Sequence, residues 1–241
     1  TGAYILKGDY EGAVCHYIGA AFPGEPEKVR EARNSFLEHR DPVRSIREFP
    51  LPLNYERSML HHIAPHPGDY RGALRILPPK LLSMLVSAYQ SHLFNRALSQ
   101  RIAEGGDLTG PLPGDRLLFA SGKEDRVSEQ TVSNARIQIM RGRCRIGIRM
   151  PGCRSEALSC ADNRTMDVLL SEDGIKSGDF CAASDLVQAR FDGASRPISL
   201  SAEVIARDCG DRVTLSFSLE PGQYATSICR EYMKADPLMM V

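Results

Sequence analysis

The chain has 241 residues, with 30 Lys and Arg balanced by 30 Asp and Glu, so its formal net charge is zero. That excludes a chain-wide cationic coat for nucleic acid but leaves room for a local basic strip. Hydrophobic residues make up 42% and charged residues 25%, ordinary for a globular protein, and no apolar run reaches membrane-spanning length. The length fits one large domain or two small ones. Seven cysteines without a CxxC pair argue against a disulfide framework or zinc knuckle and for reduced, mostly buried thiols in a cytoplasmic protein. No signal peptide is legible at the start, and the opening Thr1 suggests an internal piece of a longer chain.

In chain order, the first part reads as helices separated by prolines. Asp9 is placed to cap a helix carrying Ala13, Val14 and Ile18, and Pro26 to open a second with Ala32 and Phe36 on one face. Residues 41–54, with Pro42, Pro50 and Pro52, are expected to be an extended connection. A third helix is expected over Glu56–Ile63, and Asp69 caps a short fourth. Lys80–Ala103 is the strongest helix, with Leu82, Val86, Tyr89 and Leu93 in one stripe continued by Phe94 and Leu98.

After a Pro/Gly-rich connection at 108–116 the texture changes. Cys144, Ile146 and Ile148 alternate with Arg143, Arg145, Gly147 and Arg149, the period of a strand. A short helix is expected near Asp162–Leu170. Residues 198–219 read as a hairpin turning at Asp208–Asp211, and a last helix covers Ala225–Lys234. The fold class is therefore α+β.

Arg136, Arg141, Arg143, Arg145, Arg149 and Arg154 fall in a stretch, Gln130 through Ser155, with no Asp or Glu. Local cationic faces of this kind bind phosphates whatever the net charge, although a solvated strand face has the same composition. His61, His62 and His66 lack the spacing and the carboxylate partner of a metal site, so no metal is expected.

Several strings together resemble the TruD family of tRNA pseudouridine synthases in its archaeal form. They are Ala88 to Arg96 (Ala-Tyr-Gln-Ser-His-Leu-Phe-Asn-Arg), Pro151-Gly152-Cys153-Arg154-Ser155, Gly193-Ala194-Ser195-Arg196-Pro197, and Pro221-Gly222-Gln223-Tyr224-Ala225-Thr226 with Arg230-Glu231 and Lys234 behind it. Ile5 to Tyr10 resembles the stretch ahead of the family's inserted domain. The resemblance implies part of a pseudouridine-synthase catalytic domain, a helical segment plus a C-terminal β-hairpin and helix, with an inserted α/β TRUD-type domain. The expected division is 1–75 for the helical part, 76–195 for the insertion and 196–241 for the strand–strand–helix return.

It also implies an enzyme that isomerises uridine to pseudouridine, at position 13 of tRNA, without metal or organic cofactor, through an aspartate nucleophile. The family's Gly-x-Lys-Asp motif belongs ahead of Thr1, so this chain alone is expected to be inactive. The alternative is a non-catalytic RNA-binding or assembly module derived from the same fold. Gly122-Lys123-Glu124-Asp125 mimics the nucleophile motif but sits downstream of the Leu93-Phe94-Asn95 helix, and is expected to be a charged surface loop. Arg230 and Arg196 are candidates to pair with the catalytic aspartate, and Tyr224 to approach the base, with a place in the core the more ordinary role for that ring. Gln90 and Asn95 belong to the family pattern, and a structural role is expected of them, each bonding neighbouring backbone if buried. Arg141, Arg143, Arg145, Arg149 and Arg154 are the expected RNA contacts; tRNA is the expected partner, in the cytoplasm and away from membranes.

Overall fold

The structure, a computed structural model, describes residues 1–153, 164–219 and 223–234. Its first half is a run of helices: α1 (Gly2–Leu6), α2 (Tyr10–Gly19), α3 (Glu27–His39), α4 (Pro42–Glu48), α5 (Asn54–Ile63) and α6 (Tyr70–Arg75) lead into the long α7 (Pro79–Ala103). Asp9 and Asp69 act as read from the sequence, each side chain accepting a backbone N–H one turn on, from Gly12 at 2.8 Å and from Gly72 at 2.9 Å.

The extended connection expected at 41–54 is instead partly helical. Asp41 accepts from the backbone N–H of Val43 and Arg44 at 2.9 and 3.1 Å, and Pro42 sits in the first turn. A proline there loses only an N–H that no helix would use, so the residue that breaks a helix interior here starts one.

Strands β1 (Arg116–Phe119), β2 (Glu124–Arg126), β3 (Cys144–Arg149) and β4 (Ser195–Pro197) form an antiparallel sheet in the order β2-β1-β3-β4. Helix α8 (Val132–Met140) packs against β3, whereas α9 (Arg164–Glu172) and α10 (Ser177–Val187) pack against α7. The expected hairpin is present but shorter, β5 (Val204–Asp208) paired with β6 (Val213–Phe217). Ile198, expected in it, belongs to the larger sheet, its N–H donating to the Ile146 carbonyl at 2.9 Å. Helix α11 (Ala225–Met233) follows. The fold is thus α+β.

Two hydrophobic cores meet along α7. Leu82, Val86, Tyr89 and Leu93 lie in the larger, with Ile5, Ile18, Met59, Leu74 and Phe180. Phe94 and Leu98 turn into the smaller, which Leu117, Cys144, Ile146 and Ile198 fill beneath the sheet. A helix apolar on two sides, as the sequence indicated, seats both halves of the molecule. The larger core joins residues on either side of position 75, from Ile5 to Phe191.

A buried cation braces the helical half. Arg33, 4% exposed, reaches Glu56 at 3.0 Å and Glu25 at 3.0 Å, and donates to the Ile18 carbonyl at 2.7 Å, tying α2, α3 and α5 together. Cys15 and Cys144 are buried, but Cys181 and Cys209 are exposed, against the expectation of mostly buried thiols. Among the described residues no helix is long and apolar enough to cross a membrane.

Candidate functional site

Helix α7 builds the wall of a cleft of about 670 Å³. Met84, Ser87, Ala88, Ser91, His92 and Asn95 all line it. Their spacing of three and four residues puts them on one helical stripe, opposite the stripe that fills the larger core. The same helix therefore buries one face and offers the other to the cleft.

Across from that stripe stand Arg196 of β4 and the start of α11, with Tyr224, Thr226 and Ser227. The Arg196 guanidinium carbon lies 4.8 Å from the centroid of Phe94 and 5.5 Å from that of Tyr224. Cation–π attraction, about 0.5–2 kcal/mol for each ring, thus links the sheet to α7 and to the α11 start. Tyr224 is 57% exposed, so the core position expected for its ring is not the one it takes; its partner is the arginine.

The elements carrying these residues are joined by backbone. Gln90 on α7 donates to the Pro151 carbonyl at 2.7 Å, the backbone bond expected of it. The segment after Pro151 lies against the chain leading into β4: Met150 donates to the Ala194 carbonyl at 2.9 Å and Cys153 to that of Phe191 at 2.6 Å. A side chain at Gly152 would collide with the backbone of Phe191 and Gly193, and Gly193 has φ +74°, so both positions need glycine for this approach. Asn95 is exposed and lines the cleft. Four strings far apart in sequence, around 88–96, 151–153, 193–197 and 223–227, therefore converge.

Arg230 is exposed on α11, one turn beyond Ser227 and outside the cleft lining. Asp125 lies away from this cleft, on the edge strand β2 and not in a loop as expected, with the Lys123 ammonium at 3.3 Å. The Arg126 backbone N–H, and then Lys123, hold its carboxyl below the ordinary aspartate range. His62 has a carboxylate partner after all, Asp69 at 2.8 Å, and its ring stacks on His66. The Asp69 that caps α6 was within the sequence's reach as that partner, but only the turn between α5 and α6 brings them together.

The arginines distribute along the sheet and its approach. Arg136 lies exposed on α8, Arg141 and Arg143 in the turn into β3, and Arg145 and Arg149 half-buried on β3. Arg154 lies outside the described residues. Register adds two that sequence reading missed: Arg116 pairs with Gly147 and with Arg126, and Leu118 with Arg145, so Arg116, Arg126, Arg145 and Arg149 share one sheet face. Glu124, facing Arg116 at 2.7 Å, offsets part of that charge. The signal for Arg116 and Arg126 was the strand alternation of two segments too short to read as strands. Arg149 differs from the others: its Nε and the Oγ of its cross-strand partner Ser195 are buried without a hydrogen-bond partner among the described residues.

The architecture matches a crystal structure from Methanosarcina mazei, described as tRNA pseudouridine synthase D (TruD), with TM-score 0.83 and 31% identity over 99% of this chain and 58% of that one. The class is a pseudouridine synthase fold. The profile of the family described as tRNA pseudouridine synthase D (TruD) matches residues 1–232, and the chain belongs to that family. Proteins named probable tRNA pseudouridine synthase D are similar to it: one from Methanococcoides burtonii is 34% identical over 100% of this chain and 58% of its own length. Another, from Pyrococcus furiosus, is 33% identical over 97% of this chain and 58% of its own length. The chain thus spans less than two thirds of each of these relatives.

Proposed function

We propose that this chain is part of an enzyme that isomerises uridine to pseudouridine in tRNA, at position 13, and that the cleft between α7 and the start of α11 borders the site where the uridine is held. The observation that carries the reading is the convergence of three family strings, around 88–96, 193–197 and 223–227, on that cleft, with Arg196 joining Phe94 and Tyr224, and with the fourth string, at 151–153, bonded to the first and third. The cleft supplies hydroxyl, amide and guanidinium groups beside an exposed aromatic ring, a set suited to a flipped base and its ribose.

In this reading an aspartate from the family's Gly-x-Lys-Asp motif attacks the uridine or its sugar, the glycosidic C–N bond breaks, the base turns, C5 bonds to C1′ as the aspartate is released, and C5 loses its proton while N1 gains one. The nearby cation that keeps such a carboxylate ionised is Arg196 or Arg230, and Arg196 is the one that lines the cleft. Arg141, Arg143, Arg145, Arg149 and Arg154 contact tRNA phosphates, and the protein works in the cytoplasm, where tRNA is processed. No metal or organic cofactor takes part. The division at 75/76 and 195/196 belongs to the same reading, with 76–195 as an insertion docked on its host across a shared core.

The β5–β6 hairpin supports the larger assembly. Ile205 and Val213 are exposed on it, and a two-stranded hairpin is marginal alone. We infer that the rest of the catalytic domain packs there. The test is incubation of the intact protein with a tRNA transcript, followed by carbodiimide labelling and primer extension. Conversion of one uridine supports the reading. Tight tRNA binding without conversion points to the non-catalytic module instead.

A further inference from the structure

A second cleft, about 520 Å³, opens beside the first. Strand β4 separates them: Arg196 lines the first and Pro197 the second, and successive residues of a strand face opposite ways. Phe119 of β1 and Met140 at the end of α8 give the second cleft apolar surface; Arg143 and Arg145 add positive charge, and Ser199 and Ser201 add hydroxyls. Met140 is 80% exposed.

We propose that this cleft seats one unpaired nucleotide of the RNA substrate, separate from the uridine that reacts. The proposal rests on the RNA-modifying reading above. A lone exposed methionine says little. Here Met140 lines a concave site together with Arg143 and Arg145, an apolar surface and positive charge that suit a base next to its phosphate. The sulfur packs against an aromatic ring of any base, and the arginines meet the phosphate with charge-assisted bonds. From Gln130 through Ser155 the sequence holds no carboxylate, so this segment of the rim presents none to repel the phosphate. Ser199 and Ser201 are placed to bond ribose hydroxyls, which a DNA strand lacks at the 2′ position. Because one edge strand lies between the clefts, an RNA strand leaving the first passes directly over β4 into the second.

The experiment measures binding of the intact protein to two probes by fluorescence anisotropy, an eight-nucleotide uridine strand and a blunt RNA duplex. Met140→Ala is expected to weaken single-strand binding about three- to tenfold, the size of a sulfur–aromatic interaction. Duplex binding is expected to stay unchanged, and Met140→Leu, which keeps apolar contact without the sulfur, to recover only part of the single-strand affinity. Unchanged single-strand binding in Met140→Ala, or equal loss on both probes, overturns the proposal. Pseudouridine formation by the wild-type protein is measured beside it. A protein that converts uridine but binds single strands normally without Met140 loses only this inference, whereas a wild type that converts none loses the reading beneath it.

Discussion

Arg196 lies over the Tyr224 ring at 5.5 Å, joining the edge strand of the main sheet to the first residues before α11. This pair is the hinge pin of the cleft, since α7 touches the same guanidinium through Phe94 at 4.8 Å. On the proposed function, Arg196→Ala in the intact protein is expected to lower turnover up to about a hundredfold, because a small misplacement of substrate-holding groups costs that much. Tyr224→Phe keeps the ring and is expected to stay close to wild type, whereas Arg196→Lys recovers only part, lacking the planar face. Steady-state kinetics on a tRNA transcript check this; normal turnover in Arg196→Ala would show that the pairing is not needed.

The arginine-bearing approach to β3 gives a second expectation. Arg143→Glu combined with Arg145→Glu should weaken tRNA binding and flatten its dependence on salt, by about 0.7–0.9 in log–log slope for each phosphate no longer neutralised. Filter binding across a salt series reads the slope. An unchanged slope would remove these two residues from the RNA interface.

Stability of the helical half should depend on Arg33. Its two carboxylate partners and the Ile18 carbonyl compensate a charge taken out of water. Arg33→Ala leaves Glu56, itself 8% exposed, facing Glu25 without the cation. The expected loss is about 3–5 kcal/mol in urea unfolding. A loss under about 1 kcal/mol would mean the carboxylates relax into water.

Tyr17 predicts a pH dependence. Burial first, then the Glu56 and Tyr55 charges, push its phenol from 10.0 up to about 12. The folded protein therefore holds this proton more tightly than the unfolded chain. The contribution to stability is present in full below pH 10 and is lost as pH rises through about 12. Unfolding midpoints of wild type and Tyr17→Phe should diverge over that window, with the wild type falling faster. Parallel curves would contradict the assignment.

Much of the fold was written locally. Asp9 and Asp69 announce helix starts because a cap acts within one turn, and α7 announces itself because its apolar stripe runs for several turns. Pro42 misled because its effect depends on whether it stands first or inside, which Asp41 decides. Strands β1, β2 and β4, of four, three and three residues, are too short for a period to emerge, and pairing rather than composition makes them strands. The candidate site was legible as separate strings. That Ser87, Arg196 and Tyr224 share one cleft depends on packing between segments far apart in the chain. Tyr224 was misjudged for burial because exposure is settled by that convergence. Arg116 and Arg126 joined the basic face only through register.

The most direct measurement places 4-thiouridine at the reacting position of the tRNA, irradiates the complex with the intact protein, and maps the crosslinked peptides. Crosslinks are expected within Met84–Arg96 or Tyr224–Ser227, at the walls of the α7 cleft. Crosslinks confined to other segments, with none at either wall, would contradict the proposed site.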